Sequence, residues 1–215
     1  MSLLTQAYLL AALSGLTIAT AVVAGALGHN SRQDVLQLPA SLAELRDALA
    51  SAEVRARSRH GVLADFGFLI AYGCTYVTAG SLLAAHGVGW TVVGSVGVGL
   101  GAIAAVLDAR ENVGILRALA HPDDVDETQR LRMRRASQVK WATSAAALAS
   151  LSLLFLWKAY WSIAVGVLYL VAAGGIVAGL RRREVLRKAL RVVGLALIAQ
   201  VVLFSYCAHA FLDGF

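Results

Sequence analysis

"VGWTVVGSVGVGLGAIAAVLD", residues 88–108, decides the fold. Twenty residues pass without a charge before Asp108 is reached. As helix that run is about 30 Å long, the thickness of a bilayer's hydrocarbon core. Lipid offers backbone amides no partner, so a lone segment of this kind crosses as helix. Gly94, Gly97, Gly101, Ala105 and Asp108 recur at helical spacing on one face, where small residues let helix backbones approach closely. Five further runs share this character, at roughly 3–27, 62–85, 138–157, 160–180 and 189–212. Hydrophobic residues make up 59% of the 215 and charged residues 15%, against about 25% charge in soluble domains. Mean hydropathy is +0.70. Strand-type alternation is weak, which argues against a barrel. The expected fold is all-α: a six-transmembrane-helix bundle forming one integral membrane domain over 1–215.

The formal net charge of +6 points to topology and not to nucleic acid. Eighteen of the nineteen basic residues fall in 32–59, 110–140 and 181–191, and Lys158 alone lies on the other side. The positive-inside rule puts those segments in the cytoplasm and both termini outside. The expected location is the bacterial cytoplasmic (inner) membrane, multi-pass. Membrane lipids are the expected partners, since basic segments at the boundary attract anionic headgroups. No base-stacking aromatics accompany the charge, so nucleic acid is excluded as a partner. A homo-oligomer is left open. No basic residue precedes the first apolar run, which is long for a signal core, so it is read as an uncleaved span despite "AGA" at 24–26. Cys74 and Cys207 lie in separate spans and read as small buried apolar residues.

Outside the spans, "PASLAELRDALASAEVRARS" (39–58) predicts a cytoplasmic amphipathic helix over 41–58. Ser41 and Glu44 have capping-box spacing. Leu42, Leu45, Leu49 and Ala52 share a face, which can lie at the headgroup boundary or pack on the chain's own loops. "HPDDVDETQRLRMRRASQVKW" (121–141) predicts a second helix running into the fourth span, with Pro122 at its first position.

The polar residues at membrane depth carry the functional reading. The glycine face of the third span leads to Asp108 and Asn112, with Glu111 about 60° around the helix. The second span supplies Asp65, with Tyr72 and Tyr76 on its face, and the fourth supplies Lys140, with Ser144 one turn deeper. All lie near the cytoplasmic leaflet. One reading is structural: the acids pair with Lys140 or Arg191 and nothing more. The other treats ionisable groups facing a bundle interior as a ligand, ion or proton path. Three acids against one lysine favour a cation, a metal or a shared proton. Hard oxygen ligands suit Mg²⁺ or Ca²⁺; a metal, if held, would fall to Asp65, Asp108 and Glu111. At the outer end, His86, Trp90, Tyr160, Trp161, Tyr206, His209 and Asp213 read as an aromatic belt ahead of a haem or metal site. Gln200 reads as an interhelical hydrogen bond. No nucleophile elbow, P-loop, H-E-x-x-H or C-x-x-C occurs.

"DFGFLIAYGCTY" (65–76), "LDARENVGILRAL" (107–119) and "QVKWATSAAAL" (138–148) together resemble segments of small, uncharacterised bacterial multispanning membrane proteins carrying a D-x-x-E-N helix end. The resemblance implies no activity; it groups Asp65, Tyr72, Asp108, Glu111, Asn112 and Lys140 as the ligand- or ion-binding set. Transport or permeation of a cation or proton-coupled small solute is the favoured function, ahead of a metal-dependent enzyme acting on a lipid or lipid phosphate, and of a structural or assembly subunit. No catalytic motif is present to decide whether the chain is an enzyme.

Overall fold

A computed structural model describes residues 1–29, 33–85, 87–156 and 160–212. The chain runs α1 (Leu3–Leu27), α2 (Gln33–Gln37), α3 (Leu42–Ala50), α4 (Ala52–Ala84), α5 (Val88–Ala120), a 3-10 turn (Pro122–Asp124), α6 (Glu127–Leu156), α7 (Tyr160–Gly179), α8 (Arg183–Tyr206) and α9 (Ala208–Leu212). No strand occurs among the described residues. Six helices, α1 and α4 to α8, are long and apolar enough to cross a membrane. The protein is therefore read as an integral membrane protein with several spans.

The helices differ from expectation at their polar ends. α4 and α5 have 33 residues each and α6 has 30, or about 45–50 Å, well beyond a ~30 Å hydrocarbon core. Residues 41–58 do not form one helix. α3 ends at Ala50 because Ser51 adopts an extended conformation (φ −79°, ψ 124°), and α4 starts at Ala52 with Ser51 Oγ accepting from Val54 N at 3.4 Å. Arg55 clamps the break by donating to the carbonyls of Leu49 (2.5 Å) and Ala50 (3.0 Å). Likewise, residues 121–141 divide into the 3-10 turn and α6, with Asp126 Oδ1 accepting from Gln129 N at 2.7 Å. α8 ends at Tyr206, and a short α9 follows.

Contacts gather the chain into two compact groups. The first comprises Met1–Ile18, Ala71–Ala104 and Trp141–Phe215. Its packing relies on small residues. A side chain at Gly80 would meet the Gly94 carbonyl oxygen at 2.8 Å, and one at Gly101 would meet the Tyr76 ring at 2.6 Å. So the small face of α5 seats against α4 at Gly94 and Gly101, while Gly97 faces Ser150 of α6; one seam serves two neighbours. Phe155 stacks on Tyr169 and tilts against Phe204, each with centroids 5.8 Å apart. Tyr169 OH donates to Gln200 Oε1 (2.8 Å), and Gln200 Nε2 donates to Ser14 Oγ (2.6 Å). All three are buried, so this interhelical network satisfies its own polar atoms.

The second group comprises Ala19–Ile70 and Ala105–Lys140. Its core is Leu36, Leu45, Leu49, Val62, Ile115, Ala118, Val125 and Met133. The apolar face of α3 is thus consumed within the chain. Ser41 Oγ accepts from Glu44 N at 3.1 Å, and Glu44 Oε2 accepts from Ala40 N at 2.9 Å. That is a capping box whose return bond lands one residue early. Arginines tie the loops down. Arg130 Nη1 donates to the carbonyls of Pro39 (3.1 Å) and Ala40 (3.3 Å) while its Nη2 pairs with Glu127 at 2.5 Å, and Arg46 Nη2 donates to Val125 O at 3.2 Å.

Candidate ionic cluster

The second group brings most of the sequence-selected residues together. α5 contributes Asp108, Glu111 and Asn112, because residues three and four apart share a helix face. α6 contributes Lys140 and, one turn earlier on that face, Ser137; α4 contributes Asp65. Asp108 comes after twenty apolar or small residues from Val88, so it lies about 30 Å along the helix, a length equal to the thickness of a hydrocarbon core.

Lys140 is the hub. Its Nζ lies 3.1 Å from Asp108 Oδ1 and also contacts Glu111 Oε2. The ammonium is 1% exposed, and Asp108 and Glu111 are 7% and 4% exposed; these contacts offset the cost of taking Lys140 out of water. Glu111 Oε1 meets Ser137 Oγ, which also contacts the Gln37 carbonyl oxygen from α2. Asn112 Nδ2 donates to Asp65 Oδ2 at 2.8 Å. Asn112 Oδ1 is fully buried and has no hydrogen-bond partner among the described residues.

Of the selected set, Asp65, Asp108, Glu111, Asn112 and Lys140 meet here. Tyr72 belongs to the first group, where its ring sits edge-on to Tyr76 with centroids 5.9 Å apart. Ser137 and the Gln37 carbonyl were not anticipated. Ser137 was findable, since it is three residues before Lys140 on the same face; the carbonyl carries no sequence signal. The structural pairing resolves in favour of Lys140 for Asp108, and Asp65 takes Asn112 instead of a cation. Among the described residues, no group of three or more His, Cys, Asp or Glu side chains is arranged to hold a metal ion, and Lys140 Nζ occupies the space between the two carboxylates of α5.

At the other end of the helices, His86 and Asp213 lie outside the described residues, as do the side chains of Tyr160 and Trp161. Tyr206 and His209 are exposed. Comparison with protein-family models, with curated proteins and with solved structures returned no match to the chain.

Proposed function

We propose that this chain is a multi-pass transport protein of the bacterial cytoplasmic membrane, with its arginine-rich segments inside and both termini outside. It moves a cation or a proton-coupled small solute, and the coupling ion is a proton taken up at the Asp65–Asp108–Glu111–Lys140 cluster. One observation carries this reading: the donor count around Ser137. Its hydroxyl has one hydrogen to give, yet its oxygen contacts two acceptors, the Gln37 carbonyl and Glu111 Oε1. A proton on Glu111 Oε1 makes both contacts hydrogen bonds, with Ser137 donating onward to Gln37. Glu111 Oε2 then still lies against the Lys140 ammonium. Without that proton one contact sets two acceptors face to face in a buried site, which is costly. The cluster thus has room for one exchangeable proton, and Glu111 also lines a groove open to the surface. Ionisable residues facing a membrane bundle's interior recur in proton relays.

The test is proton entry into sealed proteoliposomes carrying an internal pH dye, driven by an imposed membrane potential. Wild-type vesicles acidify, Glu111→Gln and Asp65→Asn vesicles behave as protein-free ones, and Arg181→Gln vesicles retain the flux. Acidification by Glu111→Gln at the wild-type rate refutes the reading. The groove favours one second reading, an enzyme acting on a lipid phosphate, with its arginines on the phosphate. That reading has less support, because its Mg²⁺ ligands would have to be carboxylates already held by Lys140 and Asn112.

A further inference from the structure

We infer that the groove between the polar halves of α5 and α6 is a binding site for an anionic glycerophospholipid of the adjoining leaflet. The inference is independent of the proton reading. The groove has a volume of about 1150 Å³, room for a headgroup and the upper part of an acyl chain. Arg110 and Arg117 line it from α5, and Arg132 and Arg135 from α6. All four are exposed, and none has a hydrogen bond or ion pair among the described residues. That sets them apart from Arg46, Arg55 and Arg130 of the same group, which are committed to carbonyls or to Glu127. Four unsatisfied guanidinium groups on one groove form a site for phosphate oxygens, which a planar fork of donors matches in geometry.

The groove's other surface identifies the anion as a lipid. Val113 and Val139, 41% and 53% exposed, line the same groove on helices long enough to cross a membrane. A soluble phosphate has no use for exposed valines; an acyl chain does. α5 and α6 are joined by a six-residue connection, so they run antiparallel. Arg110 and Arg135 therefore lie on the side towards the spans, level with the valines, and the acids Asp124 and Asp126 on the side of the connection. Asp126 is already engaged in capping α6. Guanidinium groups beside apolar side chains at the end of a hydrocarbon-spanning run match a phosphodiester with its chains in the bilayer.

Native mass spectrometry of the full chain in detergent tests this with phosphatidylglycerol, phosphatidylcholine and inorganic phosphate as probes. The expected result is retention of phosphatidylglycerol over phosphatidylcholine, with no displacement by phosphate. Arg110→Gln/Arg135→Gln weakens phosphatidylglycerol binding about thirtyfold, the equivalent of about 2 kcal/mol for two boundary arginines. Arg181→Gln/Arg187→Gln, which removes two exposed arginines that do not line the groove, leaves it within about twofold, as expected for exposed charges that salt screens. Equal retention of the two lipids overturns the proposal. So does displacement by phosphate alone, or equal loss in the two double variants. Thermal unfolding of each variant without added lipid separates lost binding from lost folding.

Discussion

Replacing Lys140 with methionine keeps most of the side-chain volume and removes the one ammonium that Asp108 and Glu111 share. The lysine is 1% exposed, and its partners are 7% and 4% exposed, so water cannot take its place without opening the helix contact. The two carboxyl groups are then left side by side without a counter-charge, with Ser137 the remaining hydrogen-bond partner of Glu111. Breaking a buried pair by removing one partner costs about 3–5 kcal/mol. That is a factor of hundreds to thousands in the folding equilibrium. The same physics predicts recovery: Lys140→Met with Asp108→Asn and Glu111→Gln removes the stranded charges, and replacing a whole buried ion cluster by neutral groups is often near neutral. Denaturant unfolding in mild detergent, followed by helical circular dichroism, measures both variants against the wild type. The single variant should lose several kcal/mol and the triple variant should regain most of it. A single-variant loss below about 1 kcal/mol, the range of an exposed pair, refutes the assignment of Lys140 as the hub. A triple variant no better than the single one refutes the charge argument itself.

Gly94→Leu drives a side chain into the Gly80 carbonyl across the α4–α5 contact, whereas Gly99→Leu on the same helix meets nothing within 4 Å. Overpacking costs about 1–3 kcal/mol, so the first should lower the melting temperature by several degrees and the second should leave it nearly unchanged. Arg130→Ala removes the donor to the Ala40 carbonyl, the nearer of two donors to the Pro39 carbonyl, and the partner of Glu127. Charged hydrogen bonds of this kind contribute about 1.5–3 kcal/mol. Faster hydrogen exchange through α3, with the apolar helices unaffected, is the expected readout; unchanged exchange would mean the loop is held by its leucines alone.

The spans were legible because the hydrocarbon core imposes a length and an apolar run that almost nothing else requires. The end of α5 at Ala120 was not legible, nor was the start of α4 at Ala52, because outside lipid a helix continues through arginines and glutamates as readily as through leucine. The break at Ser51 shows the same limit. Residues 41–58 contain no proline or glycine, and the stop depends on Arg55 capping the carbonyls of Leu49 and Ala50, a tertiary device that periodicity does not encode. For the cluster, one helix face predicted that Asp108, Glu111 and Asn112 act together. Helix period says nothing about which neighbour answers which acid, so the allocation of Lys140 to Asp108 and Glu111, and of Asn112 to Asp65, came only from packing.

The arginines show how one composition serves two ends. By position they are a topology signal, and a topology signal needs only charge. Yet Arg46, Arg55 and Arg130 are spent as hydrogen-bond donors to carbonyls that helix ends and loops leave open, a role that suits the several donors of a guanidinium group. Arg110, Arg117, Arg132 and Arg135 have no such duty among the described residues, and they share a groove with exposed valines. If charge alone had been required, lysine would have served at all of these positions, but the segments 32–59 and 110–140 contain Lys140 as their one lysine. That lysine is also the basic residue placed between two carboxylates of α5. An ammonium is compact enough for that position, and the guanidinium fork suits the places where several oxygens must be held in a plane.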